Sequence, residues 1–181
     1  MIYITWDSNL GTFFWRFHKT NFVGSSIENT YLIIVSDTGL CFSECYEAYY
    51  KLAWFEEQPY TTLIVPGKAG PYVVDCAVAE REWHGGKATF LRSSVLGLQN
   101  GLIYEIDGMR FLVLYEGTSK TQDMLKNLEV DFILAASISD INHIGDKVKF
   151  KHCYIGTGDE IVPDDELYTA LDEQITVIKT V

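Results

Sequence analysis

At 181 residues, 48% of them hydrophobic and 14% aromatic, the chain is long enough to bury its own core and too apolar for a disordered segment. Its 25 acidic residues against 14 basic ones give a net charge of −11. That balance opposes a sequence-independent grip on nucleic-acid phosphates and docking to an anionic membrane leaflet.

In chain order, residues 2–6 alternate apolar and polar as a half-buried strand does, and Phe13 to Phe17 is its expected hairpin partner across Asn9-Leu10-Gly11. Asn29 to Val35 is a strong strand, ended by Ser36-Asp37-Thr38-Gly39, with Leu40-Cys41-Phe42 expected to return beside it. Tyr46, Tyr49, Tyr50, Ala53 and Trp54 recur at helical spacing, which predicts a helix over 44–57 closed by Pro59. Thr61 to Val65 reads as a buried strand, and the apolar run 72–79 fits strand or helix equally. Ala88 to Leu91 is a short strand. Residues 101–106 and 110–114 form a hairpin across Asp107-Gly108, the clearest turn signal in the chain. A helix over 121–128, a buried strand over 130–136, an alternating strand over 148–155, an acidic helix over 163–172 and a final strand over 175–178 complete the pattern. The expected class is α/β or α+β in one domain, 1–181, with two mixed sheets packed face to face and flanking helices.

The N-terminus lacks the basic and then apolar regions of a signal peptide, and no apolar run reaches the length of a membrane span. A cytoplasmic setting is expected. Cys41, Cys45, Cys76 and Cys153 are too sparse for a disulfide framework, and no second close pair of Cys or His joins Cys41 and Cys45 to make a zinc site.

Chemistry-bearing motifs are weak. His18, His84, His143 and His152 stand far apart, and the most site-like is His84, beside a Gly pair in Trp83-His84-Gly85-Gly86. The blander reading of His84 is an exposed turn residue. Lys68, in Gly67-Lys68-Ala69-Gly70, shares the Gly-Lys pairing of a phosphate-cradling loop without its spacing. Ser93-Ser94 sits in no nucleophile elbow, and His152 and Cys153 are strand neighbours that point to opposite faces. Asp164-Asp165-Glu166 reads as a helix N-terminus. Tyr46, Tyr50 and Trp54 belong to a helix with more aromatics than one face buries, which suits either a core or a protein interface.

The passage Asn100 to Thr118, with Glu105-Ile106-Asp107-Gly108-Met109-Arg110 at its centre, resembles the late hairpin of the metallo-β-lactamase family, in its simpler metal-dependent hydrolase branch. Asp123 to Leu134 is similar to that family's next helix and strand, Lys151 to Thr157 to its late His-bearing strand, and Asn29 to Tyr46 to its early hairpin and helix. The resemblance implies an αββα sandwich. It also implies a His-x-His-x-Asp-His metal loop, which would fall at Pro66 to Tyr72, where no ligand stands. A further His would fall near Arg92 or Ser93 and another near Thr157, and Glu116 is the single stand-in for the bridging Asp. One carboxylate cannot hold a catalytic zinc, which takes about three protein ligands.

The expectation is therefore a non-catalytic binding or regulatory protein without a metal or other cofactor. A ligand would be held at Lys68, His84, Glu116 or Thr157, or a protein partner at Tyr46, Tyr50 and Trp54. The alternatives are a metal-dependent phosphoester or nucleotide hydrolase with a rearranged site using Glu116 with His84 or His152, and a structural subunit of a homo-oligomer.

Overall fold

The computed structural model describes residues 1–5, 29–35, 46–66, 77–115, 125, 127–142, 144, 147–156, 160–161 and 175–178, the side chains of 46–48, 160–161 and 175–178 excepted. Two mixed sheets carry the fold. The larger contains β1 (Ile2–Thr5), β2 (Tyr31–Val35), β3 (Thr61–Val65), β4 (Ala79–Trp83), β5 (Gly86–Phe90), β6 (Val95–Leu98) and β12 (Ile175–Ile178), in the order β12-β1-β2-β3-β6-β5-β4. The smaller contains β7 (Ile103–Ile106), β8 (Met109–Leu114), β9 (Leu128–Ala135), β10 (Val148–Ile155) and β11 (Glu160–Ile161), in the order β11-β10-β9-β8-β7. Helix α1 (Tyr46–Glu56) lies against β3 and β6, and the short α2 (Ile138–Asn142) lies against β9.

The centre of the larger sheet is parallel, since β12, β1, β2, β3 and β6 all run the same way. Every residue of β2 is buried, as are four of the five in β3. Strands covered on both faces have no solvent side, so they read as unbroken apolar runs. This corrects two expectations. Strand β1 is paired by β2 and β12, leaving no edge for a hairpin with 13–17; β2 is paired by β1 and β3, leaving none for a return at 40–42. Burial of both faces outweighs the turn chemistry that follows Val35. Residues 13–17 and 40–42 themselves lie outside the described residues, as do 71–76, residues 121–124 and 126 of the expected helix over 121–128, and the acidic helix over 163–172; Leu128, expected as the last residue of that helix, begins β9.

Two tight turns are legible to the residue. His84-Gly85 joins β4 to β5 with φ of 49° and 86°, and Asp107-Gly108 joins β7 to β8 with φ of 52° and 77°. Positive φ at both central positions is the two-residue hairpin geometry that follows the twist of the strands. Four elements were not expected: β4, β6, β11 and the helix α2. Strand β6 is only four residues long and includes Gly97. Helix α2 has a start signal in Ser137-Ile138-Ser139-Asp140, where Asp140 Oδ2 accepts from the Ser137 N–H at 3.0 Å and from its hydroxyl at 2.8 Å. The carboxylate reaching back to the N–H at the start of the helix is one half of a capping box, with Asp in the acidic position, while the Asp140 N–H donates to the Ser137 carbonyl at 3.1 Å.

One core draws on both sheets: Ile2, Ile33, Leu63, Val65 and Leu96 from the larger meet Tyr104, Phe111, Val113, Phe132 and Leu134 from the smaller. The opposite face of the smaller sheet holds a second cluster, which includes Leu112, Ile133, Ile144 and Cys153. His152 belongs to the first side, where Phe111, Phe132 and His152 stack across β8, β9 and β10 at 4.8 and 5.5 Å. The expected opposition of His152 and Cys153 is what strand periodicity demands. Cys153 is fully buried in that second cluster, and burial pushes its thiol up to about 12, which disfavours the thiolate. No helix among the described residues is long and apolar enough to cross a membrane.

Candidate functional site

Where α1 ends beside the edge of the larger sheet, a cavity of about 440 Å³ is lined by Glu56, Val78, Ala79, Arg81, Phe90, Arg92 and Ser93. Its geometry follows from strand pairing. Ala79 on β4 faces Phe90 on β5, which sets Arg81 diagonally across from Phe90 on the same face. The Arg81 guanidinium then lies 5.4 Å from the centre of the Phe90 ring. After β5 the chain turns tightly, with the N–H groups of Leu91 and Arg92 both donating to the Val95 carbonyl at 2.9 and 3.1 Å. The turn is fastened to β3 by the Thr62 N–H, which donates to the Ser94 carbonyl at 2.8 Å.

That turn presents Arg92 and Ser93 to the last residue of α1. One Glu56 oxygen accepts from the Ser93 N–H at 3.0 Å and from the Ser93 hydroxyl at 2.7 Å. The other lies 4.0 Å from Arg92 Nε. Arg92 is further placed by donation to its neighbour's carbonyl, Leu91, at 2.7 Å, and by the Tyr49 ring, 4.9 Å from its guanidinium. The hydroxyl and N–H of Ser93, in that order, outweigh desolvation and, with Arg92, hold the Glu56 carboxyl below its ordinary range. Two guanidinium groups, each over an aromatic ring, thus face a groove with one carboxylate, on a chain whose net charge is −11.

The sequence-predicted residues that are described, His84, Tyr50 and Trp54, are not among those lining this cavity. His84 occupies the first position of the β4–β5 turn, and its Nδ1–H donates to the Glu105 carbonyl at 2.7 Å while the Glu105 N–H donates to the His84 carbonyl at 2.8 Å. The ring, 4.1 Å from that of Trp83, ties the hairpin to β7. His152 is buried in the aromatic stack against Phe132. Lys68, Glu116 and Thr157 lie outside the described residues, as does the side chain of Tyr46. Tyr50 is exposed on α1 beside Tyr49, and Trp54 is half-buried against Phe55. Among the described residues, no three of His, Cys, Asp and Glu come close enough together to hold a metal ion.

Sequence reasoning did not single out Glu56, Arg81 or Phe90. Arg92 entered only as the place where the resemblance would put a histidine, and Ser93 there and as half of a Ser pair that sits in no nucleophile elbow. The one local signal is the pairing of Arg-Ser-Ser with the aromatic strand before it. No family model matches the chain, and neither a curated protein nor a solved structure matches it.

Proposed function

We propose that the chain is a non-catalytic binding protein on a metallo-β-lactamase-like αββα arrangement, and that its site is the groove between α1 and the β4–β6 edge. The ligand is a small anion joined to an apolar group. The observation that carries this reading is the convergence of Arg81 and Arg92 on a cavity walled by Phe90 and Val78. Arginine planes seated on rings keep their outward N–H groups for a carboxylate or phosphate. Phe90 and Val78 offer apolar surface to the rest of the molecule, the usual division of labour in a small-ligand site.

The fold reading is supported by two mixed sheets around one core, with α1 against the larger and α2 against the smaller. Ser93 stands near the place where that family carries a metal-binding histidine, and it spends its donors on Glu56. The Ser93–Glu56 contact is poorly matched to nucleophilic catalysis. A general base works best with a pKa near the operating pH, whereas Glu56 is held below the ordinary carboxyl range.

The test compares naphthyl phosphate and 2-naphthoate with uncharged 2-naphthol in thermal unfolding. The anions are expected to raise the midpoint and 2-naphthol to leave it unchanged, with the rise abolished in Arg81→Ala/Arg92→Ala. Equal effects of all three compounds, or a full rise in the double variant, would overturn the reading.

A further inference from the structure

Resting on this groove as a ligand site, we infer that Glu56 is a built-in occupant of its anion seat, and that the ligand displacing it is a carboxylate on a flat apolar group. The seat consists of the Ser93 N–H, the Ser93 hydroxyl and the Arg92 guanidinium. All of these donors converge on the Glu56 carboxylate, with one oxygen at 3.0 and 2.7 Å from Ser93 and the second 4.0 Å from Arg92 Nε. A set of donors satisfied by a planar two-oxygen group is dimensioned for another such group. A phosphate would bring a third oxygen that the Ser93 and Arg92 donors do not match, which leaves Arg81 alone to meet it.

Two carboxylates cannot share these donors, because like charges at such separations repel and each hydrogen of Ser93 serves one strong acceptor. An incoming carboxylate must therefore expel Glu56. The residue is able to leave: its side chain is 37% exposed, and it sits at the last position of α1, so the carboxylate can swing into water without unwinding the helix. Ser94 keeps its own contact to that terminus, its hydroxyl donating to the Glu56 carbonyl at 3.4 Å. Arg81 then pairs with the ligand from the far wall, and Phe90 takes the flat group. The seat is closed to weak anions and opens to a ligand that adds apolar contact to its charge. Affinity is lowered by the fraction of molecules in which Glu56 holds the seat.

The ordinary alternative is that Glu56 and Ser93 merely pin the end of α1 to the turn after β5. The two accounts differ in sign. Calorimetric titration of 2-naphthoate into the full chain is expected to show binding about tenfold tighter in Glu56→Ala, and about tenfold weaker in Glu56→Ala/Ser93→Ala than in Glu56→Ala, the scale of one charge-assisted hydrogen bond. A simple pin would leave binding unchanged or weaker in Glu56→Ala and would give the Ser93 hydroxyl no further effect once Glu56 is gone. Thermal unfolding without ligand reports that structural loss separately. Unchanged or weaker binding in Glu56→Ala, alongside measurable binding to the unsubstituted chain, overturns the occupant inference and leaves the groove standing. Equal tightening of naphthyl phosphate in Glu56→Ala overturns the carboxylate preference. Absence of binding in every variant overturns both the inference and the groove.

Discussion

Single residues in this protein settle their charges locally, and Asp131 shows the consequence most clearly. Its carboxylate accepts from Lys151 Nζ at 2.6 Å and from the Arg110 N–H at 2.8 Å, while Arg110 itself reaches the Glu129 carbonyl at 2.6 Å. Burial raises the pKa of Asp131, but the Lys151 ammonium and the Arg110 N–H prevail, and the net displacement is downward. A group whose folded pKa lies below its unfolded value stabilises the fold above the unfolded pKa and loses that contribution as pH falls through the folded one. Asp131→Asn is therefore expected to lower stability at pH 7 by about 1–2 kcal/mol. The gap to the unsubstituted protein should close as pH drops below about 4, the ordinary aspartate range. Urea unfolding across pH checks this; a gap that is constant, or that widens in acid, would show that Asp131 acts through packing instead. The same sign applies to Glu56, whose exposure leaves its contribution to stability small.

At the scale of elements, the β4–β5 hairpin is docked on β7 by a close backbone approach. A Cβ added at Gly86 would lie 2.8 Å from Tyr104 Cε1 and 3.1 Å from the Ile103 carbonyl oxygen. The Tyr104 ring cannot yield readily: it is fully buried, its hydroxyl donates to the Lys87 carbonyl at 2.6 Å, and it accepts from the Gln99 N–H at 2.7 Å. Gly108, in the neighbouring turn, has φ of +77° and nothing within 4 Å of an added Cβ. The two glycines thus answer to different causes, contact at one and backbone conformation at the other. Gly86→Ala is expected to cost about 2–3 kcal/mol through overpacking. Gly108→Ala should cost about 1 kcal/mol through the left-handed backbone alone. Chemical denaturation of the two variants measures both, and a Gly108 substitution as damaging as that at Gly86 would contradict this division.

For the whole molecule, the sequence made the elements legible wherever local periodicity and tertiary burial agree. Thr61–Val65, the 103–114 hairpin and the 148–155 strand stand where they are expected, because turn residues or unbroken apolar runs mark their ends. Partnership was less legible. Ile2–Thr5 and Tyr31–Val35 are parallel neighbours although each is followed by turn residues, and only the burial of both faces distinguishes that arrangement from two hairpins. The candidate groove was least legible of all. Glu56 and Ser93 are separated by 37 positions and meet because α1 ends beside a turn fastened to β3. No spacing rule connects them. His84, by contrast, is conspicuous as a His beside two glycines, and the reason is the geometry of a two-residue turn.

The central claim is that this acidic molecule holds a carboxylate ligand at Arg81, Arg92 and Ser93. The most direct measurement follows its ¹⁵N-labelled form by NMR while 2-naphthoate is added. Saturable movement of the Ser93 amide and the Arg81 and Arg92 side-chain Nε–H signals, with the Arg110 and Asp131 amides unmoved, is the predicted result. No saturable movement at Ser93, or movement centred on the β8–β10 sheet instead, would contradict the account.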